Sequence, residues 1–190
     1  HKSVYFKLPL KDRGNEFLLV WTTTPWTIPG NVMVAVNPDE SYVTVHGEEG
    51  EKLWVMEKRL AVVENDEHLD KKLGKELVGW EYEGPFDNLR RVKESSAEGN
   101  FHRIIAAPEL VTAEDGTGFV HIAPGAGEED FKLHKELGFP VIELIGEDAS
   151  YLDSVGEFSG QNAKKHPELV IDYLEKKDGG KFLLKTENYK

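Results

Sequence analysis

At 190 residues, 39% hydrophobic and 31% charged, the chain is long enough for one sizeable core and short for two, which excludes a disordered tail and predicts one compact domain over residues 1–190. With 23 basic against 35 acidic residues the net charge is −12, which argues against a protein that grips nucleic acid through a basic surface. The absence of cysteine excludes disulfides and thiolate chemistry, and no apolar run approaches the ~18 residues of a membrane-spanning helix.

Along the chain, the alternation of Val4, Phe6 and Leu8, the run 17–21, the pattern 32–36 and the cluster Tyr42, Val43, Val45 predict short strands, with Asn37-Pro38-Asp39 as a turn. A strand at 53–56 follows, then a helical pattern carrying Leu60, Val62 and Val63, then a charged passage punctuated by Gly74, Gly79 and Gly84-Pro85. Residues 88–100 are polar and read as a surface loop. Strands are expected at 101–107 and 118–122, the second entering the loop Ala123-Pro124-Gly125-Ala126-Gly127. A helix over 128–137 stops at Gly138. An amphipathic helix at 167–177 carries Leu169, Val170, Tyr173 and Leu174, and a last strand spans 182–186. Strands outnumber helices and rarely alternate with them in crossover units. The expected fold is therefore α+β, mostly β, with a twisted antiparallel β-barrel core and a few peripheral helices. The opening HKSVYFKLPL has no signal-peptide core, so a cytoplasmic location is expected, and the ragged ends suggest a piece of something longer.

The stretch VWTTTPWTIPGN at 20–31 is unusual for a loop. Thr22, Thr23, Thr24 and Thr27 follow a strand and are stiffened by Pro25 and Pro29, while Trp26 adds a flat apolar wall. Hydroxyls both donate and accept, which suits a site that holds a carbonyl, a ribose and a water, although threonine at a strand end is also common. On the helix after Gly127, Asp130 shares a face with Leu133, His134 and Leu137, so a carboxylate leads a largely apolar stripe. Near the positive end of the helix it is suited to a substrate ammonium, or it merely caps the helix. His121 stands alone on its strand face as a pocket wall, a base or a structural histidine. A metal site built from His121, Asp130 and His134 is a further alternative, with no standard zinc spacing behind it. Neither Gly116-Thr117-Gly118 nor Gly125-Ala126-Gly127 completes a phosphate-binding fingerprint.

Taken together, TTTPWTIPGN and, about a hundred residues on, GTGFVHIAPGAGEED resemble the editing domain inserted in isoleucyl-tRNA synthetases. The valine and leucine branches typically carry Arg after the first two threonines and an acid in place of Trp26, so Thr24 and Trp26 favour the isoleucine branch. The resemblance implies hydrolysis of valine wrongly attached to isoleucine tRNA. A pocket sized for isoleucine rejects valine only about 150-fold, this enzyme being the standard example, so a second and smaller site removes the errors. It also implies roles. Asp130 would hold the valyl ammonium, and His121, Trp26 and Ala123 would border a valine-sized pocket. Thr22, Thr23, Thr24, Thr27 and Asn31 would position the terminal adenosine, the ester and an attacking water. A module that only docks the aminoacyl end is the non-catalytic alternative. No cofactor is implied for this domain, the ATP and Mg2+ of the parent enzyme serving the synthetic core, whose HIGH and KMSKS signatures are absent. The implied partners are the acceptor end of mischarged tRNA, valyl-adenylate, and the rest of the synthetase in cis; a monomer is expected. Ala126, where many relatives carry a bulkier residue, and Gly30, where Ala is frequent, depart from the pattern.

From the charge, the chain alone should bind tRNA weakly at physiological salt. A gel-shift titration checks this, and a submicromolar dissociation constant would contradict it.

Overall fold

Strand formation follows from β-branched and aromatic residues placed two apart. The computed structural model describes residues 2–189 except 65, 66, 98, 126, 127 and 154, with the backbone alone for 128–130. Its strands are β1 (Lys2–Pro9), β2 (Glu16–Thr22), β3 (Met33–Val36), β4 (Ser41–His46), β5 (Lys52–Met56), β6 (Lys71–Leu73), β7 (Arg103–Ala106), β8 (Val120–Ile122) and β9 (Leu183–Asn188). Its α-helices are α1 (Gly74–Leu77), α2 (Arg90–Ser96), α3 (Glu128–Leu137) and α4 (Glu168–Lys176). Among the described residues no helix is long and apolar enough to cross a membrane.

All nine strands join one curled, half-barrel sheet in the order β6-β4-β5-β2-β8-β3-β7, with β1 paired to β2 and β9 paired to β1. Five pairings are antiparallel; β2·β5, β2·β8 and β3·β7 are parallel. Period two sorts the side chains into two packed faces. Val4, Phe6, Leu8, Leu18, Val20, Tyr42, Trp54 and Met56 enter the main core. Phe17, Val43, Val45, Leu53 and Val55 pack on the opposite face, where Leu60 and Val63 of a 3-10 turn cover them. The alternation read in β1 is therefore real in direction but not in exposure. Tyr5 and Lys7 are buried as well, Lys7 through an ion pair to Glu51 at 2.9 Å.

One edge of β2 is shared. Glu16 to Leu18 pair with Lys52 to Trp54 of β5, whereas Trp21 pairs with Val120 of β8. The segment Gly116-Thr117-Gly118 fills the fork between those two strands: Met56 N–H donates to the Thr117 carbonyl (2.9 Å) and the Tyr42 hydroxyl to the Gly118 carbonyl (2.6 Å). Gly118 has φ +84°, so the extended strand begins only at Val120 and not at 118 as expected. Similarly, His102 at φ 51° delays β7 to Arg103.

Two expectations are corrected. Residues 88–100 are not simply a loop, because α2 forms within them. Val92 is buried beside Leu89 and Phe86, and an Arg90–Glu94 pair at 2.9 Å spans one turn; a single apolar anchor holds two turns and leaves no periodic signal. On α3, Leu133 is buried but Leu137 is 47% exposed, so the inward stripe ends a turn early. Ala126 and the side chain of Asp130 lie outside the described residues.

A Cβ at position 118 would lie 2.3 Å from Met56 Cβ, on a backbone that disfavours L side chains. Gly118→Ala should cost at least about 2 kcal/mol, measured by urea unfolding.

Candidate active site

Strand β2 ends at Thr22 and β3 begins at Met33, and both pair with β8, so residues 23–32 must bridge over the end of β8. Pro25 opens a 3-10 turn, Pro25–Gly30, in which a proline without N–H costs nothing, and the turn holds the threonines in fixed positions. Thr22 Oγ1 accepts the Thr24 N–H at 3.2 Å, and Thr27 donates both its N–H (3.0 Å) and its hydroxyl (2.8 Å) to the Thr24 carbonyl.

His121 pairs across from Val34, and both of its ring nitrogens are engaged: Nε2 lies 3.0 Å from Thr27 Oγ1 and Nδ1 lies 2.7 Å from Asn31 Nδ2. The Asn31 amide nitrogen also donates to the Met33 carbonyl at 2.9 Å, which fixes the orientation of the amide. An amide N–H can only donate. His121 Nδ1 is therefore bare, and its single proton sits on Nε2 and is given to Thr27.

That assignment sets the rest of the chain. Thr27 spends its only hydroxyl proton on the Thr24 carbonyl, so at the 3.3 Å contact of the two hydroxyls Thr24 must be the donor. Thr24 then has no proton left for Thr22, 3.3 Å away, and Thr22 donates to Thr24. The hydroxyl protons of Thr22 and Thr24 both point inward, and a ligand at Thr22 meets the one lone pair that the Thr24 N–H leaves free. Burial pushes His121 down to about 4, partly offset by its contact with Thr27, so the ring is neutral at ordinary pH.

Beside this chain lies a cleft of about 320 Å³ lined by Trp21, Thr22, Thr23, Gly116, Gly118 and His121, within the size range of ligand pockets. The Thr23 hydroxyl, on its wall, has no hydrogen-bond partner among the described residues. Trp26 and Ala123 open elsewhere. They share with Thr27 and Ile142 a crevice of about 10 Å³, so Trp26 and His121 border different spaces. Asn31 is buried behind His121 and does not line the cleft. The structure thus joins Thr22, Thr24, Thr27, Asn31 and His121 in one hydrogen-bonded chain, leaves Thr23 facing the cleft, and sets Trp26 and Ala123 beyond Thr27. A metal on His121 would have to displace Thr27 or Asn31. Trp21, Thr112 and Asp115 also line the cleft and escaped the sequence reading; the signal available was the pair of glycines at 116 and 118.

No family model matches the chain. It is 36% identical over 182 residues to the isoleucine–tRNA ligase of Saccharolobus islandicus, covering 93% of this chain and 17% of that protein. The Thermococcus kodakarensis isoleucine–tRNA ligase is 39% identical over 189 residues, covering 92% and 17%. Among solved structures, one described as GlLeuRS-CP1 superposes with a TM-score of 0.75 at 13% identity, covering 100% of this chain and 99% of that one. Over nearly its whole length the chain is homologous to a segment of the isoleucyl-tRNA synthetases. It spans under a fifth of the length of these relatives, 17% of each. The fold is shared with the leucine branch at low identity: the Plasmodium knowlesi cytosolic leucyl-tRNA synthetase editing domain superposes with a TM-score of 0.65 at 12% identity, covering 97% of both chains.

His121 and the buried His102 behind it give the fold a pH signature. His121, at about 4, and His102, pushed by burial to about 3, stay neutral when folded where the unfolded chain takes up protons at about pH 6.5. In that window the unfolded state binds more protons, so stability falls as pH is lowered from about 7 to about 4.5. Asp87, raised by burial to about 6 and 3.4 Å from His102, works in the opposite sense and offsets the His102 contribution, leaving His121 to set the net sign. Urea unfolding at the two pH values checks this, with a smaller difference expected in His121→Gln.

Proposed function

We propose that this domain hydrolyses the ester of valine wrongly attached to isoleucine tRNA, using an oriented water and no protein nucleophile. One observation carries the reading. A neutral histidine and a threonine chain with the hydroxyl protons of Thr22 and Thr24 turned inward stand at the wall of a 320 Å³ cleft. His121 is a poor general base, since its bare nitrogen is taken by Asn31 and its affinity for a proton is depressed. Thr22 presents the one lone pair that the Thr24 N–H leaves free, so a water in the cleft would donate a proton to Thr22 Oγ1 and turn its own lone pair towards the carbonyl carbon. Thr23 would supply a hydroxyl to the developing oxyanion. Aminoacyl esters are labile, and positioning with such stabilisation suffices.

Asp130 is assigned the valyl ammonium. His121, held by Asn31, is assigned the limit on side-chain size at the cleft, while Trp26, Thr27 and Ala123, expected to share that role, border the separate crevice. The partner is the acceptor end of mischarged tRNA, with valyl-adenylate as a second substrate and the rest of the synthetase acting in cis, in the cytoplasm; the domain is a monomer and uses no cofactor.

The test is deacylation of valyl- and isoleucyl-tRNA(Ile), with calorimetric titration of non-hydrolysable valyl- and isoleucyl-adenosine analogues. The valyl substrate should be favoured by about 10–200-fold, the worth of one methylene, and Asp130→Ala should abolish binding of the valyl analogue. Activity should survive chelator. Selective binding without turnover would point to a docking module, and equal binding of both analogues would overturn the assigned pocket.

A further inference from the structure

Behind the threonine chain, away from the cleft, lies a second set of buried polar groups that substrate does not reach. The Tyr82 hydroxyl donates to Asn31 Oδ1, and Tyr82 is fully buried, with burial holding its hydroxyl well above the usual range for phenols and so protonated. His102, also buried, stacks on Tyr82 with ring centres 4.8 Å apart and planes 18° apart, and Phe101 stacks on His102 at 3.8 Å. His102 Nε2 donates to the Asn31 carbonyl at 3.0 Å. The backbones are tied as well: His102 N–H reaches the Val32 carbonyl (2.7 Å) and Tyr82 N–H the His102 carbonyl (3.1 Å). His102 adopts φ 51°, a conformation that a non-glycine residue holds only where its surroundings impose it. Gly84 leaves the room, since a Cβ there would lie 2.8 Å from His102 Cε1.

We propose that Tyr82, acting through Asn31, is a positioning residue that sets the proton pattern of His121 and of the threonine hydroxyls. Four groups surround the Asn31 side-chain amide and backbone carbonyl, and each admits one orientation. Tyr82 can give a proton to Oδ1, the Met33 carbonyl can only accept from Nδ2, the second Nδ2 hydrogen goes to His121 Nδ1, and His102 holds the main-chain oxygen. A flipped amide would set its oxygen against the Met33 carbonyl and would lose the proton that Tyr82 gives to Oδ1. The polarity then runs outward without a choice: Tyr82 to Asn31, Asn31 to His121, His121 to Thr27. Thr27 is left to accept, Thr24 to donate to it, and Thr22 to donate to Thr24. A phenol two hydrogen bonds behind His121 thus acts with the Met33 carbonyl to leave an acceptor facing the cleft at Thr22. Its consequence for hydrolysis rests on the reading above; the proton pattern itself does not.

The experiment is long-range 1H–15N correlation on the 15N-labelled chain, which reads which ring nitrogen of each histidine carries the proton, with His121 assigned by loss of its signals in His121→Gln. The wild type should show His121 protonated at Nε2 alone. Tyr82→Phe keeps the stack on His102 but removes the donor, and should move the His121 signals towards an average of the two tautomers, with kcat for valyl-tRNA(Ile) deacylation falling on the order of tenfold and KM little changed. Asn31→Asp offers only acceptors, so it should move the proton to Nδ1; this variant carries the test if Tyr82→Phe fails to fold. A wild-type ring protonated at Nδ1, a Tyr82→Phe spectrum unmoved at His121, or an Asn31→Asp ring still protonated at Nε2 would overturn the proposal. Tautomers that respond as expected in a chain that deacylates nothing would support the proton pattern and overturn the hydrolytic reading instead.

Discussion

The pairing of one short strand with two neighbours is the constraint on which the rest depends. Strand β8 has three residues, yet it runs parallel to β2 at Trp21 and antiparallel to β3 along Met33 to Ala35. Because β2 and β3 are separated in sequence only by residues 23–32, that segment has to arch over the end of β8. The arch delivers Thr24, Thr27 and Asn31 to the histidine that β8 carries. A threonine-rich loop hung from any other pair of strands would have the same composition and no His121 to close on. The same strand also forces the fork in the sheet, where β5 leaves β2 and the segment 116–118 takes its place, and the cleft opens along that segment.

Within the arch, the hydrogen bonds hold together because none of the buried partners is left unmatched. A polar chain inside a protein is stabilising only when every member is satisfied, since a single orphan costs about 1–3 kcal/mol. Asn31 spends its amide hydrogens on Met33 and His121, its amide oxygen on Tyr82 and its main-chain oxygen on His102. The chain becomes less constrained only at its outer end, where Thr22 and Thr23 line the cleft. Rigidity behind and unused capacity in front is what a site needs if it is to orient a water without a metal or a covalent step.

The net charge of −12 bears on what this domain can hold through phosphates. Phosphate contacts supply most of the affinity in nucleic-acid binding, and an acidic domain contributes few of them. Structural neighbours at 12–13% identity share the fold, which therefore tolerates near-complete replacement of side chains. Packing on two faces explains that tolerance, because apolar volume and period two can be met by many residues.

The sequence by itself determined the strands other than β6, the helix over 128–137 and the family resemblance, because period-two runs and a long, ordered pair of motifs are local properties that survive without coordinates. It could not show α2, where Val92 alone anchors two turns, nor the late starts of β7 and β8, which follow from positive φ at His102 and Gly118. It grouped Asn31 with the residues facing substrate, since proximity in sequence to the threonines is all that a sequence offers; the register of β3 against β8 turned it behind His121 instead. Tyr82 and His102 carry no motif and lie 51 and 71 residues from Asn31. Only the tertiary structure brings them to it, because the direction of a hydrogen bond depends on which donors and acceptors meet in space, and no local pattern of residues encodes that meeting.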